Sequence, residues 1–239
     1  MKLYLTGLLG AAALAATAAE KVEFKSEKEK ASYAIGLSIA ENLKQSGLEL
    51  EAEMVARGLK EGIKGEALFD RRQIMEILTA YQQNQASQAA EPEKKAGAEF
   101  LAANKAKEGV KTLKVTLTAE QQERAGKPAK EESYELQYKV LKEGTGPKPK
   151  EQDVVKVHYR GTFRDGKVFD SSYDREPAMF PVNQVIPGWT EALKNMKVGS
   201  KWQLFIPSDL AYGDSGRPPA IPPGATLLFD VELLSIEKQ

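Results

Sequence analysis

The sequence predicts an α+β protein, in which an all-α N-terminal module with a long connecting helix precedes a C-terminal antiparallel β-sheet. Apolar residues recur at helical spacing from about residue 26 to residue 81. From Tyr134 onward, apolar and polar residues alternate in short runs, a pattern typical of half-buried strands. One short helical pattern, with Trp189 and Leu193 four residues apart, lies between these runs. A sheet with one helix available to cover a face is an α+β arrangement.

The N-terminus has the pattern of a secretory signal. Lys2 precedes an apolar run from Leu3 to Ala16, and Ala16 and Ala18 form a small-residue cleavage pattern before Glu20. The run is too short to cross a bilayer, although an uncleaved anchor is the alternative. We expect cleavage of residues 1–19, at Ala18 or Ala19, and export to the periplasm, with outer-membrane association left open. The chain contains no cysteine, which excludes lipid attachment through one.

Residues 20–69 are predicted to form a helical dimerisation module. Ser26 and Glu29 have capping-box spacing, and Gly47 and Gly65 are candidate helix ends. The apolar positions at helical spacing are Tyr33, Leu37, Ala40, Leu43, Val55, Leu59 and Ile63. So small a module buries too little surface alone, and we therefore expect a homodimer through these helices. The alternative is a bundle that folds against the C-terminal domain of its own chain.

A long connecting helix is predicted over residues 70–108. Asp70 and Gln73 provide a start signal, and the apolar stripe fades after Tyr81 into a segment of Gln, Ala, Glu and Lys. Pro92 is expected to kink this helix or begin another. Residues 109–133 are predicted to be a charged linker containing at most one isolated strand, and residues 134–239 form the C-terminal domain.

Composition excludes several classes of function. The 34 basic and 34 acidic residues balance, which offers no global field for nucleic acid. One histidine and no cysteine cannot supply a zinc or iron site, and no cofactor is expected. The sequence from Gly213 to Gly216 resembles a serine-protease nucleophile loop, but the single histidine, His158, lies within a predicted strand. No nucleophile, metal or cofactor is therefore assigned.

Several runs near the predicted turns and strand ends are specific in combination. They are Val157-His158-Tyr159-Arg160-Gly161, Gly166-Lys167-Val168-Phe169-Asp170-Ser171-Ser172, Val185-Ile186-Pro187-Gly188-Trp189, Met196-Lys197-Val198-Gly199, Ala211-Tyr212-Gly213, Ile221-Pro222-Pro223 and the run from Leu227 to Leu233. Ordinary core packing accounts for any one of their aromatic residues. In order and spacing, the runs together resemble the FKBP family of peptidyl-prolyl cis-trans isomerases. The N-terminal half resembles, more loosely, the Mip-like branch (macrophage infectivity potentiator).

The resemblance implies a twisted antiparallel sheet wrapped around one short helix, with a prolyl pocket between them. It implies that the catalytic residues are Asp170, Tyr212, Phe169 and Tyr159. The implied substrate-binding residues are Tyr159, Phe169, Asp170, Arg175, Val185, Ile186, Trp189, Tyr212, Ile221 and Phe229, with Trp189 as the pocket floor. Asp170 also has a structural interpretation, as a salt-bridge partner of Arg175 and a cap before Ser171.

The expected function is therefore rotation about Xaa-Pro bonds in exported proteins, which assists their folding. The alternative is a holdase chaperone that uses the pocket and the dimer cleft for binding only. Expected partners are unfolded or proline-containing polypeptides, with macrolides of the tacrolimus or rapamycin type as candidate inhibitors. Ala178, Arg217 and Ala220 depart from residues common in the family, so we expect a more open wall at Ala178 and an altered macrolide affinity.

Overall fold

A computed structural model describes residues 23–45, 49–124 and 130–237 of the chain. The predicted signal segment and the candidate helix end at Gly47 lie outside the described residues, as do Gly126 and Pro128. The elements are α1 (Glu27–Gln45), α2 (Ala52–Lys64), α3 (Arg71–Lys105), β1 (Val110–Leu117), α4 (Ala119–Arg124), β2 (Glu132–Lys142), β3 (Val154–Thr162), β4 (Val168–Ser171), β5 (Ala178–Pro181), α5 (Pro187–Asn195), β6 (Lys201–Ile206) and β7 (Leu227–Glu237).

The starts of α1 and α3 and the end of α2 lie where the local chemistry predicts. The Ser26 hydroxyl accepts the backbone N–H of Glu29 at 3.2 Å at the start of α1. Asp70 and Gln73 form a complete capping box at the start of α3. Gly65 follows α2 with φ +76°, a conformation that favours glycine. Neither α1 nor α2 buries a residue in the part of the chain that the structure describes.

The helix α3 runs without a break through Pro92. Pro92 therefore does not begin a new helix. No described helix is both long and apolar enough to cross a membrane.

The C-terminal domain is a seven-stranded antiparallel sheet with the strand order β1-β2-β6-β7-β3-β4, and β5 also pairs with β3. One face packs on α5, and Trp189, Ala192 and Leu193 of that helix join the core formed by the inward residues of β3, β6 and β7. The fold is thus the predicted one, with an antiparallel sheet covered by one short helix.

The predicted linker contains more structure than its composition indicated. Strand β1 is not isolated, because it pairs with β2 from Val110↔Lys139 to Leu117↔Glu132. Val115 and Leu117 are buried in the same core as α5. The sheet therefore begins at Val110 rather than at Tyr134. Exposed Lys114 and Thr116 alternate along β1 with Leu113, Val115 and Leu117, so the polar composition of the segment concealed a strand that is buried on one side.

The second face of the sheet is covered by the C-terminal part of α3. Alternation along β2 predicts that Gln137 faces solvent, yet it is only 3% exposed. Its carboxamide accepts a hydrogen bond from Asn104 at 3.0 Å and donates one to the carbonyl of Leu101 at 2.8 Å. Phe205, paired with Gln137 across the strands, lies 6.2 Å from the ring of Phe100. The helix that connects the two halves of the chain is therefore also a layer of the domain.

We expect Asn104→Ala to destabilise the C-terminal domain by about 1–3 kcal/mol, because it leaves the Gln137 carboxamide oxygen buried without this donor. Thermal unfolding followed by near-ultraviolet circular dichroism measures the change. Asn84→Ala is the matched control, because Asn84 lies on the exposed part of α3 and its loss changes stability by less than about 0.5 kcal/mol. Equal melting temperatures for the two variants would contradict a structural role for the buried pair.

Candidate functional site

A pocket of about 430 Å³ opens between the sheet and the N-terminal end of α5. Strands β3, β4, β5 and β7 contribute to it. So do residues 184–186, which directly precede α5, and the loop between β6 and β7. Its lining residues are Tyr159, Phe169, Asp170, Phe180, Gln184, Val185, Ile186, Trp189, Tyr212, Arg217 and Phe229. Its volume lies within the range common for small-molecule sites.

The floor and walls are held together by edge-to-face aromatic contacts. The indole of Trp189 meets the rings of Tyr159, Phe180 and Phe229 with centroid distances of 5.4, 5.8 and 5.2 Å and interplanar angles of 81°, 87° and 83°. Phe169 meets Phe229 at 5.5 Å and 90°. These are the orientations that the quadrupoles of aromatic rings favour. The lining is therefore apolar and fixed in shape.

Gly161 makes the close approach of two wall residues possible. It lies on the inward face of β3, where a Cβ atom would come within 2.6 Å of the Phe169 ring and 2.8 Å of the Phe229 ring. Any larger residue at this position would push the two rings apart. The close packing of these two rings therefore explains why position 161 is a glycine.

Asp170 and Tyr159 form the polar corner of the pocket. The Tyr159 hydroxyl donates to one oxygen of the Asp170 carboxylate at 2.5 Å. The other oxygen accepts from Arg175 at 2.7 Å and from the backbone N–H of Ser171 at 2.9 Å. Burial, followed by the hydrogen bond and charge of Asp170, raises the pKa of Tyr159 to about 12, although Arg175 acts in the opposite direction. Tyr159 is therefore a protonated donor throughout the physiological range.

Several hydrogen-bond donors at the pocket make no intramolecular bond within the described parts of the chain, and two of them are placed to meet a bound peptide. These two are the hydroxyl of Tyr212 and the backbone N–H of Ile186, the residue that precedes Pro187 at the start of α5. Both residues line the pocket. An apolar ring seated on Trp189 would leave these donors available for carbonyl oxygens of a flanking chain.

The structure brings most of the sequence-predicted site residues to this pocket, with two placed differently. Arg175 does not line it and reaches it only through Asp170. Ile221 is buried in the core, where its backbone pairs with that of Arg217. Arg217 lines the pocket in its place.

Sequence reasoning missed Phe180, Gln184 and Arg217 as lining residues. Phe180 had a signal, because alternation along β5 places it on the same face as Ala178. It adds an aromatic ring to the pocket from the strand that carries Ala178, and the more open wall at Ala178 stays a prediction. Gln184 and Arg217 lie in turns, where alternation gives no information.

The geometry does not support the hydrolase interpretation. The imidazole of His158 lies 3.1 Å from the hydroxyl of Ser172 and stacks on Tyr173 with a centroid distance of 5.2 Å. The hydroxyl of Ser172 in turn accepts the backbone N–H of Tyr159 at 2.8 Å. The one histidine of the chain therefore helps hold the strand that carries Tyr159. The pocket has the size and the largely aromatic lining of a site for a small apolar group.

Comparison with known proteins identifies the class of the protein. The family model described as FKBP-type peptidyl-prolyl cis-trans isomerase matches residues 146–234, and the domain amino terminal to FKBP-type peptidyl-prolyl isomerase matches residues 28–120. The FKBP-type peptidyl-prolyl cis-trans isomerase FkpA of Aeromonas hydrophila is 44% identical over 92% of this chain and 80% of its own. Outer membrane protein MIP of Legionella longbeachae is 38% identical over 100% of this chain and 98% of its own.

A solved structure agrees with these relatives. The crystal structure of FkpA from Escherichia coli matches with a TM-score of 0.53 and 34% identity, covering 90% of this chain and 99% of that one. The chain belongs to the FKBP-type peptidyl-prolyl cis-trans isomerase family. It is an isomerase of Xaa-Pro peptide bonds, as the sequence motifs predicted.

We predict that Asp170→Asn lowers kcat/KM on a proline-containing peptide while the fold survives. Loss of the carboxylate charge also lowers the pKa of Tyr159 from about 12 towards, but not to, its ordinary value of 10.0, because burial remains the larger cause. Ultraviolet absorbance of tyrosinate, titrated from pH 9 to 13 with a Tyr159→Phe difference, measures the shift.

The sign of the linked stability can be checked in the same samples. Because the pKa of Tyr159 is raised on folding, its contribution is fully present below pH 10 and is lost as the pH rises from 10 to about 12. Wild type should therefore lose stability in this window more steeply than Asp170→Asn. Asp174→Asn, a change on the same loop without a contact to Tyr159, is the control. Wild-type kcat/KM in Asp170→Asn would exclude a catalytic role for its carboxylate.

Proposed function

We propose that the aromatic pocket is the site of prolyl isomerisation and that its substrates are exported polypeptides. The observation that carries the proposal is the combination in one pocket of an aromatic floor and walls with two free donors, the Tyr212 hydroxyl and the Ile186 N–H. The proline ring would lie on Trp189, and the donors would hold carbonyl oxygens of the flanking residues.

Such a pocket suits a reaction in which no bond is made or lost. Rotation of an Xaa-Pro amide must break resonance, against a barrier of roughly 18–20 kcal/mol. The planar amide is strongly dipolar and the twisted one has lost much of that charge separation. An apolar pocket therefore disfavours the planar state relative to the twisted one. A thousandfold acceleration requires about 4 kcal/mol of differential stabilisation, which the apolar lining and the Asp170 carboxylate would supply, while the two donors hold the planar and the twisted amide alike.

Each pocket residue has a role that follows from its position. The rings of Tyr159, Phe169, Phe180 and Phe229, together with Val185 and Ile186, exclude water from the rotating amide. Asp170 would interact with the carbonyl carbon as it twists, in an orientation fixed by Tyr159 and Arg175. Ile221 acts from the core, where it supports the loop that carries Tyr212 and Arg217.

We propose that the protein acts as a homodimer through its N-terminal helices. In α1, Tyr33, Ile35 and Leu37 are each more than half exposed. Farther along the chain, the exposed apolar side chains are Met54, Leu59, Ile63, Leu68, Phe69, Ile74, Met75, Ile77 and Leu78. So many apolar side chains open to water on α1, on α2 and at the start of α3 indicate surfaces that a second copy covers. Two linked arms would hold one unfolded chain with increased avidity.

The cell envelope is the proposed location, since the N-terminal sequence has the pattern of a secretory signal. A relative of similar length is named an outer membrane protein. Unfolded or proline-containing chains are the proposed substrates, and the apolar pocket is also a candidate site for macrolides of the tacrolimus or rapamycin type. Binding without catalysis, as a holdase, is the second candidate function, which the exposed apolar helices favour.

We predict that the chain from Glu20 onward strongly accelerates cis-trans isomerisation of an Xaa-Pro tetrapeptide. A Tyr159→Ala/Phe169→Ala variant should lose at least tenfold in kcat/KM, because two pocket walls are removed. Tyr173→Ala is the matched control, since this aromatic residue lies outside the pocket. Protease-coupled kinetics measure the rate, and circular dichroism verifies the fold.

Full activity in the double variant would place the reaction elsewhere on the chain. A double variant without activity that still suppresses aggregation of an unfolded protein would separate isomerisation from chaperoning. Loss of both activities with an intact fold would assign both to the pocket.

The dimer has a separate test. We predict that Ile74→Glu/Leu78→Glu converts a dimer into a monomer, because charge is introduced on the exposed apolar part of α3, while tetrapeptide isomerisation is retained. Light scattering after gel filtration measures the mass. Glu76→Lys is the control, because it changes the charge of the same helix at an exposed polar position. A monomeric wild type would refute the proposed assembly, and a dimeric variant would place the interface elsewhere.

A further inference from the structure

The loop that follows β6 and leads into β7, residues 207–226, carries part of the pocket. Tyr212 and Arg217 of this loop line the pocket beside Ile186. On its other side, the same loop lies against α3. The contacts come from Ser87, Ala90, Lys94 and Gly97, spaced three, four and three residues apart and therefore on one face of that helix.

Asp214, two residues after Tyr212, is held by two side chains of α3. One carboxylate oxygen accepts the hydroxyl of Ser87 at 2.7 Å, and the other accepts the ammonium of Lys94 at 2.9 Å. Lys94 also lies 3.8 Å from a carboxylate oxygen of Asp209. The side chains of Lys94, Asp209 and Asp214 are 30%, 18% and 22% exposed, so solvent screens these charges less than those of a surface pair.

Two glycines bring helix and loop into direct contact. Gly224 has φ +71°, and a Cβ atom there would come within 2.5 Å of the carbonyl oxygen of Ala90, which is fully buried. A side chain at Gly97 would collide with the hydroxyl of Thr226. The N–H of Gly224 donates to the carbonyl of Gly213 at 3.1 Å, which ties this contact to the residue between Tyr212 and Asp214.

We propose that α3 positions the rim of the prolyl pocket, with Lys94 as a positioning residue that acts through Asp214 on Tyr212. The inference rests on the proposed role of Tyr212 as a donor to the substrate. Lys94 does not line the pocket, so its effect on the site is indirect. Its effect is to keep the loop in the one conformation that presents the Tyr212 hydroxyl to the site.

The expected kinetic signature is a rise in KM. A donor that holds a flanking carbonyl acts on the planar and the twisted amide alike, and losing such uniform binding raises KM with little change in kcat. If release of Asp214 reduces the competent loop conformer to about one fifth of the population, the apparent KM rises about fivefold.

The test compares single and double variants of the full chain. Lys94→Ala should raise the KM for an Xaa-Pro peptide several-fold, and Lys94→Arg should restore it. Lys105→Ala is the matched control, because Lys105 also links α3 to the sheet, through Glu135 at 2.8 Å, but far from the loop. In a Tyr212→Phe background, Lys94→Ala should have no further effect on KM, since the two residues act in series.

Hydrogen exchange of the loop amides provides a readout independent of catalysis. The N–H groups of Gly213, Gly216 and Gly224 are bonded within the loop and should exchange faster in Lys94→Ala only. Unchanged exchange and KM in Lys94→Ala would overturn the proposal, as would faster exchange with an unchanged KM. Equal effects of Lys94→Ala with and without Tyr212 would exclude the route through that hydroxyl. Wild-type kinetics in the Tyr212→Phe single variant would refute the role of Tyr212 as a donor to the substrate. Hydrogen exchange in Lys94→Ala would then still decide whether α3 orders the loop.

Discussion

The edge-to-face packing of three rings on the indole of Trp189 is the interaction on which the rest of the domain depends. Tyr159, Phe180 and Phe229 come from three different strands and meet on one residue of α5. The same contacts attach the helix to the sheet and form the floor of the pocket. The side chains that stabilise the domain are therefore the ones that line the proposed site, and the packing that forms the core also fixes the shape of the pocket.

The polar groups of the pocket are arranged around that apolar base by the backbone. Pairing of β3 with β4 sets Asp170 opposite Gly161, within reach of the Tyr159 hydroxyl. The Asp170 carboxylate accepts hydrogen bonds from its own chain. Among the described residues, the Tyr212 hydroxyl and the Ile186 N–H have no intramolecular acceptor. This contrast is the basis of the proposed roles, in which Asp170 acts electrostatically and the two donors hold the peptide. The long helix α3 adds a third layer, which covers the outer face of the sheet and contacts the loop that carries Tyr212.

Most of the pocket was predictable because its aromatic residues lie in runs whose order and spacing resemble one family. Alternation with Ala178 places Phe180 on the same face of β5, yet the predicted site did not include it. The short side chain of Ala178 instead led to the prediction of a more open pocket wall. Arg217 and Gln184 lie in turns, whose side-chain directions depend on a three-dimensional path that no periodicity encodes. Ile221 was predicted to bind substrate, but its side chain is buried in the core and does not line the pocket.

The sequence by itself determined the α+β class, the start signals of α1 and α3, the inward face of each strand and the aromatic composition of the pocket. These features depend on short-range spacing, which local chemistry controls. Only the tertiary structure decided that β1 belongs to the sheet, that Gln137 and Phe205 are buried and that Lys94 reaches Asp214. In each case a segment distant along the chain covers a surface that its own pattern describes as exposed. Burial of that kind depends on two segments together, and the pattern of either segment alone does not predict it.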